Sequence, residues 1–443
     1  MALARRRIRE LAVRANGVRV GHWRLPARGA MEFQYAAEWM TSDEQRPLSL
    51  SLPLTLDDAP LKGRGVETYC DNLLPDSDSI RRCILVRFRA ASQQPFDLLA
   101  AIGRDCVDAV QLLPADEPPT GVKKIEAVRL SDAAVARMIA AAISPTAANI
   151  DTDEFRISIA GSQEKTAFLR HAGRWCRPLG STPTSHIFKL PLGLVGNMRA
   201  DMSTSVENEW LCARILAAYG LPIAHCDIEH FGEFKVLVVE RFDRVLHSSG
   251  KYWLQLMQED LCQALARPSH IKYEADGGPG LQDIGRVLAG SIHRREDLET
   301  LFKAQLLFWM LAATDGHAKN FTIRILQGGR YHLTPLYDVL SAWPVIGKRA
   351  NHLSYQKVRP ATAMHGTRAH YRIRDIQPRH FDLLARQLGL PRNAHALIAE
   401  IRTATPRVMA EVQKGLPRGF PARVLDTILE GLSNSMQRLD APT

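Results

Sequence analysis

The pattern of this sequence changes at about residue 245, and that change limits the folds the chain can adopt. Before it, short β-prone runs alternate with turn residues, and after residue 255 apolar residues follow helical spacing. At 443 residues, the chain is long enough for two or three domains. We therefore predict an α/β (α+β) fold in two lobes, with a β-rich subdomain at the N-terminus and an all-α C-terminal lobe.

The domain boundaries are predicted from linker residues, above all Pro118-Pro119 and Gly121. The predicted units are a β-rich subdomain (1–115), a linker with one helix (116–150), an N-terminal lobe (151–245) and a helical C-terminal lobe (246–443).

Within the first unit, Asn16-Gly17 predicts a hairpin turn between strands at 7–14 and 18–23. The alternation at 48–56 predicts a strand, which Pro53 would restrict to a sheet edge. A capped helix is predicted over 71–85.

Composition narrows the class of protein. Lys and Arg total 57 and Asp and Glu total 47, so the formal net charge is +10, which suits polyanionic partners but is also common in ordinary bacterial proteins. Seven cysteines without a Cys-x-x-Cys pair argue against a zinc site and a disulfide framework. The most apolar run, 306–313, is far shorter than the ~20 residues that span a bilayer. We expect a cytoplasmic protein that does not contact a membrane.

The most informative motif is Asp315-Gly316-His317-Ala318-Lys319-Asn320, which follows a long apolar helix predicted over 296–313. An Asp followed five positions later by Asn is the spacing of a kinase catalytic loop. There the Asp accepts the proton of the acceptor hydroxyl and the Asn binds a metal ion. By itself the spacing is common, and Asp and Asn also serve simple turns.

Two further residues have the chemistry of a phosphate site. Asp338 follows the loop at the place of a second metal ligand, and Mg²⁺ prefers such oxygen ligands. Lys189 is the only Lys or Arg in the apolar run 186–190 and would need phosphate or an acid such as Glu207 or Glu209 as partner. Alternatively, Asp338 caps a helix and Lys189 lies on an exposed edge strand.

Two backbone segments complete the pattern. The small residues of 158–165 would let backbone N–H groups approach phosphates, although an ordinary hairpin looks the same. Glu240-Arg241-Phe242 ends an apolar strand and could form a hinge against adenine, or simply a charged strand end. The order of loop, Lys, hinge, Asp-x4-Asn and Asp is that of a kinase that uses ATP and Mg²⁺.

These stretches resemble the HipA family of serine/threonine kinases. The motifs that carry the resemblance are Asp71-Asn72-Leu73-Leu74-Pro75, Gly103-Arg104-Asp105-Cys106, Ala109-Val110-Gln111, Ile159 to Thr166, His186 to Pro191, Glu207-Asn208-Glu209, Glu240 to Asp243 and Asp315 to Phe321. One departure is Ser162, where Ala is the more frequent residue.

The resemblance implies a role for each candidate residue. Asp315 would be the catalytic base, Asn320 and Asp338 the Mg²⁺ ligands, and Lys189 the phosphate-binding lysine. The remaining nucleotide contacts would be Ala160, Gly161, Ser162, Gln163, Glu164, Lys165, Glu240, Arg241, Phe242, His317, Lys319 and Tyr337. Ser158 would be a regulatory autophosphorylation site.

The resemblance also implies partners. These are a HipB-like helix-turn-helix antitoxin, operator DNA bound through that antitoxin, and a protein substrate of the aminoacyl-tRNA synthetase class, typically the glutamyl enzyme. Two alternatives stay open: a small-molecule phosphotransferase, and a catalytically silent co-repressor.

Overall fold

The computed structural model of the chain describes residues 9–55, 57, 59–143, 163, 165–196 and 198–439. The sequence also has a short β-prone run at 155–159, which lies outside these residues. The described part is a mixed α/β structure in which antiparallel sheets dominate the first half and helices dominate the second. The predicted fold class is therefore confirmed.

The N-terminal part packs helices against one antiparallel sheet. Its elements are β1 (Arg9–Ala15), β2 (Val18–Leu25), β3 (Glu32–Tyr35), α1 (Ala37–Met40), β4 (Leu61–Lys62), α2 (Arg64–Asn72), α3 (Asp78–Arg87), α4 (Pro95–Ile102) and β5 (Val110–Pro114). The sheet order is β4-β3-β2-β1-β5. Asn16 and Gly17 take positive φ angles of 49° and 85°, as a tight hairpin turn requires, so the predicted β1–β2 hairpin is confirmed.

The predicted strand at 48–56 was wrong. The described part of this stretch, 48–55, forms only an isolated bridge between Ser49 and Leu52. The Tyr35 hydroxyl accepts from the Leu48 N–H at 2.7 Å and donates to the Leu52 carbonyl at 2.5 Å, while Glu259 accepts from the Leu50 N–H at 2.8 Å. Side chains thus satisfy backbone groups that a sheet neighbour would otherwise bind.

The single helix predicted over 71–85 is in fact two helices. The first, α2, ends at Asn72 and α3 begins at Asp78, with Pro75 in the break between them. Proline has no N–H and disfavours helical backbone in the residue before it, so a continuous helix is interrupted here. The Ser77 hydroxyl caps α3.

The next part carries the second sheet. Its elements are β6 (Ala127–Arg129), α5 (Asp132–Ile143), β7 (Lys165–His171), β8 (Arg174–Pro178), β9 (His186–Lys189), β10 (Gly193–Val195), β11 (Ala200–Met202), α6 (Ser205–Ala218), β12 (Cys226–Phe231) and β13 (Phe234–Glu240). The described strands of the sheet follow the order β12-β13-β9-β7-β8-β6, while β10 and β11 pair separately. Phe168, Phe188 and Val236 lie in the core of this lobe and are fully buried.

The C-terminal part is mainly helical. Its elements are β14 (Arg244–Leu246), β15 (Trp253–Gln255), β16 (Gln258–Asp260), α7 (Leu261–Ala264), α8 (Leu281–Leu288), α9 (Arg294–Met310), β17 (Thr322–Ile325), β18 (Tyr331–Leu333), β19 (Met364–His365), β20 (Ala369–His370), α10 (Pro378–Gln387), α11 (Ala394–Lys414) and α12 (Ala422–Leu439). The helical character of this lobe is confirmed, but it is not all-α, because β16, β17 and β18 form a small antiparallel sheet and β14–β15 and β19–β20 form two-stranded sheets. These strands have two to four residues each, too few to show a period-two pattern.

The helix α9 forms the centre of the C-terminal core. Its side chains from Leu298 to Met310 are largely buried, and the catalytic-loop motif begins five residues after its end. None of the helices among the described residues is long and apolar enough to cross a membrane. All seven cysteines are free thiols, and six of them are buried.

Candidate active site

A cleft lies where the two lobes and the N-terminal part meet. Its empty volume is about 1020 Å³, including space open to solvent. The predicted site residues that line it are Lys165, Lys189, Glu240, Arg241, Phe242, Asp315, His317, Lys319, Asn320, Tyr337 and Asp338. Gln163 does not line the cleft and instead donates to the Leu190 carbonyl at 2.5 Å. Ser158, Ala160, Gly161, Ser162 and Glu164 lie outside the described residues.

Lys189 joins the two lobes at the centre of the cleft. Its strand β9 lies between β13 and β7, so the alternative of an edge strand is excluded. The ammonium donates to Glu209 Oε1 at 2.5 Å and to Asp338 Oδ1 at 2.8 Å. Glu207, the other candidate partner, binds Lys235 instead. Burial lowers the pKa of Lys189, but the two carboxylates outweigh it and raise this pKa above its usual value, so Lys189 stays charged.

Asp338 takes a left-handed backbone conformation. Its φ angle is +62°, in a region that few residues other than Gly, Asn and Asp adopt. Burial raises the pKa of its carboxyl, but the charges of Lys189 and Lys165 hold that pKa below its usual value. Burial in turn lowers the pKa of Lys165 to about 8, although Asp338 opposes this shift. Asp338 is therefore an ionised carboxylate that interacts with two lysines of the cleft.

The loop after α9 presents Asp315 to the cleft. The Asp315 backbone carbonyl accepts from the Asn320 side-chain N–H at 2.6 Å and from the His317 backbone N–H at 2.8 Å. These two bonds close the turn. A Cβ on Gly316 would lie 2.5 Å from the Phe308 ring, so this close packing requires glycine. The Asp315 side chain remains 41% exposed. Because the Asn320 amide nitrogen is engaged, its oxygen is the atom left for an external ligand.

His317 and Lys319 differ in whether their side-chain nitrogens have partners among the described residues. His317 is buried, and neither ring nitrogen has a hydrogen-bond partner within the described part of the chain. Burial lowers the pKa of its imidazole, which therefore stays neutral at pH 7. The Lys319 ammonium donates to Asn72 Oδ1 at 2.7 Å and forms ion pairs with Asp260 at 3.2 Å and Asp76 at 3.5 Å. Lys319 is thus held by carboxylates of the protein itself.

Two residues of the predicted hinge, Arg241 and Phe242, make different kinds of contact. The Arg241 guanidinium is buried with Asp243 and Asp105, so it serves the domain junction. The Phe242 ring lies 5.8 Å from the Tyr337 ring, centroid to centroid, at the cleft wall. The Tyr337 hydroxyl donates to the Lys319 carbonyl at 2.8 Å, which ties this wall to the catalytic loop.

Several cleft residues were not predicted from the sequence as site residues. Those of the N-terminal part are Asn72, Leu73, Asp76 and Val107, and those of the C-terminal part include Gln258, Asp260 and Lys272. Asn72 and Leu73 lie in a stretch already singled out by the family resemblance, which was the available signal. Their place at the cleft depends on how the N-terminal part packs against the two lobes. No local sequence pattern predicts that packing.

The fold and this cleft define a two-lobed, protein-kinase-like protein. The model of the HipA-like C-terminal domain matches residues 157–409, and the model of the HipA N-terminal domain matches residues 11–113. The chain belongs to the HipA family.

Relatives of known name agree with this assignment. The protein Y4mE of Sinorhizobium fredii, which carries the name of a kinase, is 31% identical over 339 residues, 75% of this chain and 77% of that protein. The serine/threonine-protein kinase toxin HipA of Shewanella oneidensis is 27% identical over 321 residues, 69% of each chain. The solved complex of Shewanella oneidensis HipA with HipB and operator DNA matches with a TM-score of 0.77 at 21% identity, covering 98% of this chain and 100% of that chain.

Proposed function

We propose that this chain is an ATP- and Mg²⁺-dependent serine/threonine protein kinase that acts as a HipA-type toxin. The observation that carries the proposal is the contact of Lys189 with both Glu209 and Asp338, in the cleft that Asp315 and Asn320 also line. A lysine paired with an acid of a neighbouring helix, in the same cleft as an Asp that binds Mg²⁺, is a feature of kinase sites. In this arrangement Asp315 would accept the proton of the acceptor hydroxyl.

The residues present suit ATP and Mg²⁺. Among the described residues there is no group of three or more His, Cys, Asp or Glu side chains arranged to hold a metal ion. Mg²⁺ does not require one, because it is commonly held by one or two protein oxygens together with phosphates and waters. Asp338 and the free oxygen of Asn320 would provide those protein oxygens. Bound Mg²⁺ would neutralise charge on the phosphates, while Lys189 and Lys165 would position them.

The roles of the remaining predicted residues belong to the same proposal. Residues 160–165 would cover the phosphates, and Glu240, Phe242 and Tyr337 would lie along the adenine. Phosphorylation of Ser158 would place a dianion beside the phosphate site and oppose ATP binding.

We further propose the partners that the family assignment suggests. The Shewanella oneidensis HipA structure contains HipB and operator DNA. A HipB-like antitoxin would neutralise this chain and hold it on operator DNA, consistent with the net charge of +10. The acceptor would be a protein of translation, of the aminoacyl-tRNA synthetase class.

Incubation with γ-labelled ATP and Mg²⁺, with and without a bacterial lysate, tests the proposed activity. We expect label on Ser158 and on a lysate protein. The rate of labelling should decrease by about 10²–10³-fold in the Lys189→Met variant, because the positive charge that would interact with the phosphates is removed. An Arg286→Met variant, changed in an exposed ion pair with Asp283, serves as the control. Label on a small molecule alone would favour a phosphotransferase. No label, with Ser158 shown to be unmodified at the start, would favour a co-repressor.

The ionisation of Lys165 gives the nucleotide site a pH dependence. Because the pKa of Lys165 is lowered to about 8, its ammonium loses its proton above that pH in the free protein. We expect the affinity for a non-hydrolysable ATP analogue to fall by about tenfold for each pH unit above 8, since binding then requires uptake of one proton. Calorimetric titrations across this range would measure it. A Lys165→Arg variant should lose the dependence, and the same slope in that variant would contradict this explanation.

A further inference from the structure

A tyrosine outside every predicted motif contacts the candidate catalytic base. Tyr273 lies between α7 and α8, and its hydroxyl donates to Asp315 Oδ1. The Tyr273 ring also packs edge-on against His317, with the ring centroids 5.2 Å apart at an angle of 81°. His317 Nε2 lies 3.7 Å from the same Oδ1 atom. Within the described part of the chain, both contacts therefore fall on one carboxylate oxygen and leave Oδ2 for a ligand.

The backbone that carries Tyr273 is anchored on both sides. Gly278 donates its N–H to the Tyr273 carbonyl at 2.9 Å, and a Cβ on Gly278 would lie 2.7 Å from that same oxygen. The neighbouring Glu274 donates its N–H to the Ala361 carbonyl at 3.0 Å, and its carboxylate accepts from the Ala363 N–H at 2.7 Å. On the other side, Lys272 binds Asp76 of the N-terminal part at 2.8 Å. The phenol is thus held in place by the fold.

We propose that Tyr273 is a positioning residue that fixes the Asp315 carboxylate so that Oδ2 faces the acceptor hydroxyl. The inference rests on the proposed kinase function, because it assigns Asp315 the role of base. An Asp side chain that is 41% exposed would otherwise rotate among several orientations. Proton transfer requires the base within hydrogen-bond reach of the hydroxyl, so an orientation fixed in advance raises the rate of transfer. Tyr273 itself exchanges no proton with the substrate.

The Tyr273→Phe variant of the full chain tests this role, because it removes the hydroxyl and keeps the ring against His317. We expect the rate of autophosphorylation at saturating ATP to fall by about 10- to 100-fold. The ATP concentration for half-maximal rate and the thermal unfolding temperature should stay at the wild-type values. Tyr331→Phe is the matched control, because its partly buried phenol also loses one hydrogen bond, to the Val287 carbonyl at 2.8 Å, away from the cleft.

The outcomes separate this inference from the proposed function. A wild-type chain that transfers no phosphate would reject the kinase proposal and this inference with it. An active wild type with an equally active Tyr273→Phe variant would overturn the inference alone. A faster variant would also overturn it, because the phenol would then be blocking the acceptor site. A variant weakened only through a higher ATP requirement would assign Tyr273 to nucleotide binding and overturn the positioning role.

Discussion

Replacing Asp315 with asparagine is expected to lower phosphoryl transfer by about 10²- to 10⁴-fold, the range for loss of a general base. The amide has nearly the same shape as the carboxylate, so the loop bonds from Asn320 and His317 to the Asp315 carbonyl should persist. What is lost is the acceptor for the substrate proton, while the contacts of Lys189 with Glu209 and Asp338 remain. ATP binding should therefore be unchanged.

Steady-state rates and equilibrium binding of an ATP analogue to the same preparations would measure the two effects separately. Asp375→Asn is a suitable control, because Asp375 has nearly the same exposure, 42%, and among the described residues its carboxylate pairs only with the neighbouring Arg374. A rate within a few-fold of wild type for Asp315→Asn would remove Asp315 from the chemistry. Loss of ATP binding would show that the carboxylate acts on the nucleotide.

Replacing Arg244 with methionine is expected to destabilise the protein by about 3–5 kcal/mol, because Arg241 would then be the one guanidinium among the described residues left to balance the buried carboxylates of Asp105 and Asp243. Arg244 is completely buried and binds Asp105 at 2.8 Å and Asp243 at 2.7 Å. Burial raises the pKa of Asp105, but Arg241 and Arg244 outweigh it and lower that pKa. The Asp105 carboxylate therefore stays ionised at pH 7. The pair with Asp105 joins the N-terminal part to the segment after β13.

The midpoint of denaturant unfolding would measure this loss at constant pH. Arg286→Met, in a pair with Asp283 that is largely exposed, should cost only about 0–1 kcal/mol. Adding Asp105→Asn to Arg244→Met should restore part of the stability, since the excess buried negative charge is then removed. Equal midpoints for Arg244→Met and Arg286→Met would contradict the assigned role of the buried network.

The sequence predicted best where the signal is local. The Asn16-Gly17 turn and the apolar strand ending at Glu240 both depend on turn chemistry or periodicity within a few residues. The order of the kinase motifs also placed Lys189, Asp315 and Asp338 correctly in one cleft, although their catalytic roles stay predictions.

The sequence predicted poorly where the outcome depends on distant partners. Residues 48–56 have a strand-like pattern, but Tyr35 and Glu259 bind their backbone and prevent pairing. The choice of Glu209 over Glu207 as partner of Lys189 depends on how α6 faces the sheet. Tyr273 carries no signal at all, since a tyrosine in a loop reveals its neighbour only once the chain is folded. The proposed boundaries at 115, 150 and 245 likewise stay predictions.

The long-range hydrogen bonds have a consequence for synthesis on the ribosome. Asn16 donates to Gln255, the Asp108 carboxylate accepts from the Gln258 N–H, and Asn72 accepts from Lys319, across 239, 150 and 247 residues of chain. At about 5–20 residues per second, the ribosome adds the Lys319 partner of Asn72 roughly 10–50 s after Asn72 itself. During that interval the early part of the chain holds polar groups whose native partners do not yet exist. The cleft is therefore completed late, so a nascent chain gains the geometry of this cleft only when most of the chain has been made.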